Sequence, residues 1–181
     1  MPRLFVALRP PPAIREDLLS LQGGVPGARW QDEEQLHLTV RFIGDVEGPV
    51  ADDVAAALGS VHASAPTARL FGVGAFRHRD RTEAIWAGVQ PADPLRALHA
   101  KVDQACARAG LERERRSYLP HITLARFSRS AGGDPAIERW LAERAGLSGP
   151  SFPMMHLILY QSVLGRDGAR YEAIARWPLT D

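Results

Sequence analysis

Hydrophobic positions along this chain alternate between strand-like and helix-like segments. Short apolar runs with period-two alternation predict strands, and apolar residues three or four positions apart predict helices. The predicted strands span residues 4–8, 36–42, 70–76, 84–89, 119–125, 155–161 and 171–177. The predicted helices begin near Pro12, Pro49, Pro94 and Pro135, because proline is favoured in the first turn of a helix. This mixture of helices and hairpin-like strand pairs favours an α+β fold with mostly antiparallel sheets.

The order of elements occurs twice along the chain. The helix openings at Pro12 and Pro94 are separated by nearly the same length of chain as those at Pro49 and Pro135. A repeat close to half the length of the chain indicates a duplicated lobe rather than a solenoid. We therefore expect one bilobal domain over residues 1–181 with two pseudo-symmetric lobes. Each lobe would place helices on the outer face of its sheet, and a groove would lie between the two free faces.

One short motif recurs in register with this repeat. It consists of histidine, an apolar residue, threonine and a second apolar residue. It occurs as His37-Leu38-Thr39-Val40 and again, at the separation of the helix openings, as His121-Ile122-Thr123-Leu124. Alternate side chains of a strand share a face, so each motif presents an imidazole and a hydroxyl to the groove. A single His-x-Thr is usually a packing feature, whereas two copies in register with an internal repeat favour a functional pair.

Such a cluster suits the hydrolysis of a cyclic phosphodiester. The reaction needs a base to activate water and an acid to protonate the leaving oxygen, and histidine serves in either state near neutral pH. Threonine hydroxyls can hydrogen-bond the non-bridging oxygens of the phosphate. We therefore assign His37, His121, Thr39 and Thr123 to the chemistry, and we expect no metal and no cofactor.

Charge and cysteine content limit the kind of substrate and the cellular compartment that suit this site. The formal net charge is +1, which gives no support for wrapping a long duplex but allows a site for one or two phosphates. Cys106 is the single cysteine, so an internal disulfide is excluded and a reducing compartment is favoured. No apolar run reaches membrane length. We expect a cytoplasmic protein without a membrane partner, and a monomer.

The paired motifs and their surroundings resemble the two-histidine phosphoesterase superfamily, in particular the bacterial and archaeal RNA 2′,3′-cyclic phosphodiesterases once called 2′-5′ RNA ligases. The matching stretches are Arg3-Leu4-Phe5-Val6-Ala7, Trp30, Leu36 to Gly44, Pro120 to Arg126, Leu159-Tyr160-Gln161-Ser162, Tyr171-Glu172 and Trp177-Pro178-Leu179. The resemblance implies hydrolysis of a terminal 2′,3′-cyclic phosphate on RNA to a 2′-phosphate, with a possible reverse 2′,5′ joining. It also implies that His37 is the proton donor and His121 the proton acceptor. The two motifs themselves are nearly equivalent and do not distinguish these roles.

Two arginines are candidates for binding the phosphate. Arg126 resembles the family position that contacts phosphate, but strand alternation sends it away from His121 and Thr123 unless the strand ends or bulges after Leu124. Arg41 shares parity with His37 and therefore the same predicted face. Either guanidinium offers bidentate contacts to a phosphate.

Further residues are weaker candidates for RNA contact. Aromatic side chains that can stack on a terminal base are Phe5, Trp30, Tyr118 and Tyr160, although core packing is the usual role of each one taken alone. Two arginine clusters that can follow an RNA backbone are Arg77, Arg79 and Arg81, and Arg113, Arg115 and Arg116. Short charge runs are more often solvated loops.

Two other functions remain open at this point. One is a cyclic phosphodiesterase for small nucleotides, such as an ADP-ribose cyclic phosphate. The other is a non-catalytic module that binds RNA ends. Two intact His-x-Thr motifs argue against the binding module, because binding alone does not need two titrating groups.

Overall fold

The computed structural model describes residues 1–166 and 168–180. Within these residues it contains nine strands and four helices. The strands are β1 (Arg3–Leu8), β2 (Ala28–Trp30), β3 (Leu38–Asp45), β4 (Thr67–His78), β5 (Arg81–Gln90), β6 (His121–Phe127), β7 (Phe152–Pro153), β8 (His156–Gly165) and β9 (Gly168–Pro178). The helices are α1 (Pro12–Ser20), α2 (Gly48–Leu58), α3 (Asp93–Arg108) and α4 (Ala136–Glu143).

The predicted α+β class with antiparallel pairing is confirmed. Each of the seven predicted strands and four predicted helices has its counterpart in the structure. Two short strands, β2 and β7, were not predicted, because two or three residues are too few to show an alternation. The strand carrying the first motif begins at Leu38 and continues through Gly44 and Asp45, although this dipeptide is typical of a turn at a strand end.

The strands form a sheet in the order β7-β4-β5-β6-β3-β1-β8-β9. The short strand β2 pairs with the end of β6, on the same edge of β6 as β3. Two half-sheets, β6-β5-β4-β7 and β3-β1-β8-β9, therefore meet between β3 and β6. Each half-sheet has four strands when read outward from this joint, as a pseudo-two-fold axis requires. We call β3-β1-β8-β9, which carries the first motif, the first half-sheet, and β6-β5-β4-β7 the second. The spatial halves differ from the halves of the sequence repeat: β4 pairs with β5 in the second half-sheet, and the C-terminal hairpin β8–β9 completes the first.

Strand alternation separates two faces of this sheet. On β1, Leu4, Val6 and Leu8 join the large core, which also contains buried residues of all four helices. Phe5 and Ala7 point to the opposite face, where they pack with β8 side chains in a small separate cluster. The helices therefore cover one face, as predicted, and the other face is left for the groove.

Two β-bulges interrupt the alternation at the last residue of each motif. On β3, Thr39 pairs with Ala7 and Arg41 with Val6, so Val40 is an extra residue. On β6, Thr123 pairs with Trp86 and Ala125 with Ile85, so Leu124 is the extra residue at the equivalent place. A bulge adds one residue to a strand and so reverses the side on which later side chains lie.

Candidate active site

The two His-x-Thr motifs meet at the joint between the half-sheets. The joint consists of one antiparallel pair, Leu38 with Ile122. This register sets His37 beside Thr123 and Thr39 beside His121 across the joint. Leu38 and Ile122 are fully buried towards the helices. The histidines and threonines are only partly buried and lie on the groove face.

Both imidazole rings are held in the same way. Nδ1 of His37 lies 2.7 Å from the carbonyl oxygen of Gln35, and Nδ1 of His121 lies 2.7 Å from that of Leu119. A carbonyl oxygen only accepts hydrogen bonds, so Nδ1 carries the hydrogen in each ring and Nε2 is left for chemistry. Nε2 of His37 lies 2.9 Å from Oγ1 of Thr39. The repeat thus reproduces the orientation and tautomer of the histidine as well as its position.

Aromatic side chains surround each imidazole. The ring centroid of His37 lies 4.9 Å from that of Phe5 and 5.3 Å from that of Tyr171. That of His121 lies 4.8 Å from Phe76 and 6.0 Å from Trp86. These walls restrict ring rotation and lower the local dielectric, which strengthens electrostatic interactions in the groove.

One glycine makes room for this aromatic wall. Gly74 lies against the Trp86 ring, and a Cβ at this position would lie 2.3 Å from a ring carbon. A larger residue here would therefore push the Trp86 ring away from its place beside His121.

Burial lowers the pKa of both histidines. The pKa of His37 falls from its usual 6.5 to about 4, first because the ring is desolvated and then because the positive charges of Arg126, His121 and Arg9 disfavour a further cation. The pKa of His121 is lowered by burial and by Arg126. Both rings are therefore neutral near pH 7 in the free protein, and each Nε2 carries a lone pair that can accept a proton, although that of His37 accepts a hydrogen bond from the Thr39 hydroxyl.

Arg126 lies in the groove because of the bulge at Leu124. Leu124 and Ala125 are both buried, and the reversed alternation leaves Arg126 exposed on the side of His121 and Thr123. Arg126 also lines a cavity of about 450 Å³, together with His37, Thr39 and residues of β1 and β9. A guanidinium group thus lies at the edge of the groove, where it would attract an anion.

The prediction that Arg41 shares the face of His37 is wrong. The bulge at Val40 turns Arg41 into the core, where the residue is 6% exposed. Its Nε lies 3.1 Å from Oδ1 of Asp103 on α3, and its guanidinium also donates to the carbonyl oxygens of Phe42 and Glu112. Arg41 is therefore a buried structural residue and does not face the groove. Phe42 takes the groove position and lines the cavity next to His37.

The aromatic candidates fall in different places. The Phe5 ring packs against the His37 ring. Tyr160 stacks on Phe5, and the two ring centroids are 5.2 Å apart. Trp30 lines a smaller cavity of about 240 Å³ that shares Arg126 and Tyr171 with the first one. Tyr118 is a supporting residue, since its hydroxyl donates to the carbonyl oxygen of Thr39 at 2.7 Å.

The arginine clusters lie at the surface. Arg77 pairs with Glu138 of α4, and Arg113 lies 3.4 Å from Oδ2 of Asp103. Neither cluster lines the cavity beside His37.

Sequence reasoning missed four residues of the site: Phe42, Phe76, Tyr171 and Trp86. Phe42 follows the histidine of the first motif at the same spacing as Arg126 follows that of the second. The two residues are therefore counterparts, and the repeat itself carried the signal for Phe42. Tyr171 and Trp86 reach the histidines only through the pairing of distant strands.

Among residues 1–166 and 168–180, no group of three or more histidine, cysteine or acidic side chains is placed to hold a metal ion. Over the same residues, no helix is both long enough and apolar enough to cross a membrane.

The family model described as the 2′-5′ RNA ligase superfamily matches residues 10–165. The chain belongs to the 2′-5′ RNA ligase superfamily. A superfamily relative from Aeropyrum pernix, named RNA 2′,3′-cyclic phosphodiesterase, is 34% identical over 152 residues, which cover 83% of this chain and 85% of the relative. A relative of the same name from Escherichia coli is 28% identical over 98% of this chain and 97% of its own length.

Solved structures of the superfamily agree with this fold over the whole chain. The crystal structure of E. coli LigT complexed with 3′-AMP superposes with a TM-score of 0.79 at 27% identity and covers 100% of both chains. The α+β architecture with a large antiparallel sheet is therefore shared with a superfamily member that has been crystallised with a nucleotide.

Proposed function

We propose that this protein is an RNA 2′,3′-cyclic phosphodiesterase that converts a terminal 2′,3′-cyclic phosphate to a 2′-phosphate without a metal ion. The observation that carries the proposal is the pair of imidazoles, His37 and His121, each oriented by a main-chain carbonyl so that Nε2 is available on the groove face. Relatives named for this activity over nearly the full chain support the choice of substrate.

In the proposed reaction, Nε2 of His121 accepts a proton from water as the water oxygen bonds to phosphorus. The bond between phosphorus and the 3′ oxygen breaks, and His37 donates a proton to that oxygen from Nε2. The products are a 3′-hydroxyl and a 2′-phosphate. Thr39 and Thr123 hydrogen-bond the non-bridging oxygens, and Arg126 balances the charge that develops on them.

The low pKa of His37 gives substrate binding a further role. His37 is neutral near pH 7 in the free protein, yet the donor must carry a proton on Nε2. A bound phosphodiester brings a negative charge next to the ring, which raises the pKa of His37. Binding of the substrate therefore helps to charge the acid. Once His37 is charged, repulsion between the two rings disfavours a second proton, so His121 stays neutral to act as the base.

The same groups support 2′,5′ joining, which is the reverse of cleaving a 2′,5′ linkage. A 5′-hydroxyl in place of water, attacking the cyclic phosphate, yields a 2′,5′ linkage with the same proton transfers. All the proposed groups come from one chain, so we propose that a monomer is sufficient. We place the protein in the cytoplasm, since its single cysteine, Cys106, is a buried free thiol.

The test is hydrolysis of an RNA ending in a 2′,3′-cyclic phosphate, in the presence of EDTA, with product identification as a 2′-phosphate. His37→Ala and His121→Ala should each lower the rate by about 10²-fold or more. His62→Ala is the matched control, because His62 is an exposed histidine outside the groove. Turnover that EDTA abolishes, or a His37 or His121 variant with the wild-type rate, would contradict the proposal.

A further inference from the structure

A second large cavity lies on the groove face of the first half-sheet. Its volume is about 470 Å³, and its polar lining consists of Arg9, Arg15, His156, Tyr160 and Arg176. We call it the basic cavity. Consecutive prolines between β1 and α1, with Ile158, supply an apolar wall. None of its described lining residues is acidic.

The positive charge of the basic cavity exceeds what nearby carboxylates neutralise. Glu33 pairs with both Arg9 and Arg15, so two guanidinium groups share one carboxylate. Arg176 adds a third guanidinium from β9. Moreover, Nε of Arg9 is buried and has no hydrogen-bond acceptor among the described residues. That nitrogen therefore makes no hydrogen bond to a carboxylate, so the charge of the Arg9 guanidinium is only partly compensated by the described residues.

The basic cavity adjoins the catalytic groove. Tyr160 lines it, and the Tyr160 ring lies 6.3 Å from that of His37 between centroids. In the register of β8 with β9, Ile158 pairs with Arg176 and Tyr160 pairs with Ala173. Arg176 therefore lies one step further along the same face from Tyr160. A chain bound with its end at His37 can pass Tyr160 and reach Arg176 without crossing the sheet.

We propose that the basic cavity binds a phosphodiester of the RNA strand upstream of the cyclic end. This inference rests on the proposed function and adds a preference for polymers over mononucleotides. Guanidinium groups supply bidentate contacts to a phosphate. The consecutive prolines that line the cavity supply an apolar surface for a ribose or a base, as in other sites for single-stranded nucleic acid. An inorganic anion alone would leave this apolar wall unused.

The test compares binding of a hexanucleotide ending in a 2′-phosphate with binding of 2′-AMP, so that turnover does not interfere. The wild-type protein should bind the hexanucleotide more tightly. Arg176→Gln should raise the Kd of the hexanucleotide about tenfold, the order expected for one charge-assisted hydrogen bond. The slope of log Kd against log salt concentration should fall by about 0.7 for each phosphate that the variant no longer binds. The Kd of 2′-AMP should change far less.

Two variants serve as controls. Arg108→Gln removes the same charge from the end of α3, outside the cavity, and should match the wild type. Arg176→Lys keeps the charge but loses the forked geometry, and should lie between the wild type and Arg176→Gln. Equal affinity of the wild type for the two ligands, or equal weakening of both by Arg176→Gln, would overturn the inference. Absence of cyclic-phosphate turnover would overturn the proposed function, whereas a loss of hexanucleotide binding specific to Arg176 would still support the subsite.

Discussion

The lowered pKa of His37 couples the stability of the fold to pH. In the unfolded chain a histidine takes up a proton near its usual pKa of 6.5, whereas folding lowers the pKa of His37 to about 4. Between these pH values the unfolded state binds more protons than the folded state, so the free energy of unfolding falls as pH falls. Above about pH 6.5 the ring is neutral in both states and adds no pH dependence.

The size of this effect follows from the two pKa values. Each unit of difference corresponds to about 1.4 kcal/mol, so the full contribution is about 3 kcal/mol between pH 6.5 and 4. His37→Asn removes the titrating group. The amide nitrogen of asparagine can take the place of Nδ1 and donate to the Gln35 carbonyl, which limits other damage.

The assay is urea unfolding of wild type and His37→Asn at several pH values from 7 to 4. Carboxylates also titrate in this range, so the informative quantity is the difference between the two proteins at each pH. We expect the variant to become more stable relative to the wild type by about 3 kcal/mol as pH falls. His121→Asn should show the same direction with a smaller change, because the pKa of His121 is also lowered. A difference that stays constant with pH would refute the buried neutral state of His37.

Three further predictions concern residues that support the site. Asp103→Ala leaves the Arg41 guanidinium buried without its carboxylate and should cost about 3 kcal/mol in urea unfolding; an unchanged midpoint would contradict the ion pair. Tyr118→Phe removes the donor to the Thr39 carbonyl and should cost about 1 kcal/mol of stability, with slower hydrolysis of the cyclic phosphate; wild-type values for both would show that this hydrogen bond is dispensable. Gly74→Ala forces the Trp86 ring away from its place beside His121 and should lower stability by about 1–3 kcal/mol together with turnover, whereas Gly133→Ala, with open space around its Cβ position, should behave as the wild type in both assays.

Much of the site could be predicted from the sequence because its signals are local or repeated. Strand alternation places His37 and Thr39 on one face, and the same holds for His121 and Thr123. The motifs recur at nearly the same separation as the helix openings, which indicates that the two pairs occupy equivalent positions. The periodic pattern of apolar side chains is enough to predict which side chains share a face, because that pattern depends only on residues within each strand.

The tertiary structure decided which arginine enters the groove. Whether Val40 and Leu124 form bulges depends on how β3 pairs with β1 and β6 with β5, and a strand's own sequence does not contain that pairing. The bulges send Arg41 to Asp103 in the core and Arg126 to the groove, opposite to what unbroken alternation predicts for each.

The tertiary structure also decided what surrounds the histidines. It places the C-terminal hairpin beside β1, which brings Tyr171 against His37 and forms the basic cavity. The sequence alone determined the chemical groups and their duplication, because these are carried by local patterns. The surroundings of each group depend on contacts between distant segments, and only the folded chain brings those segments together.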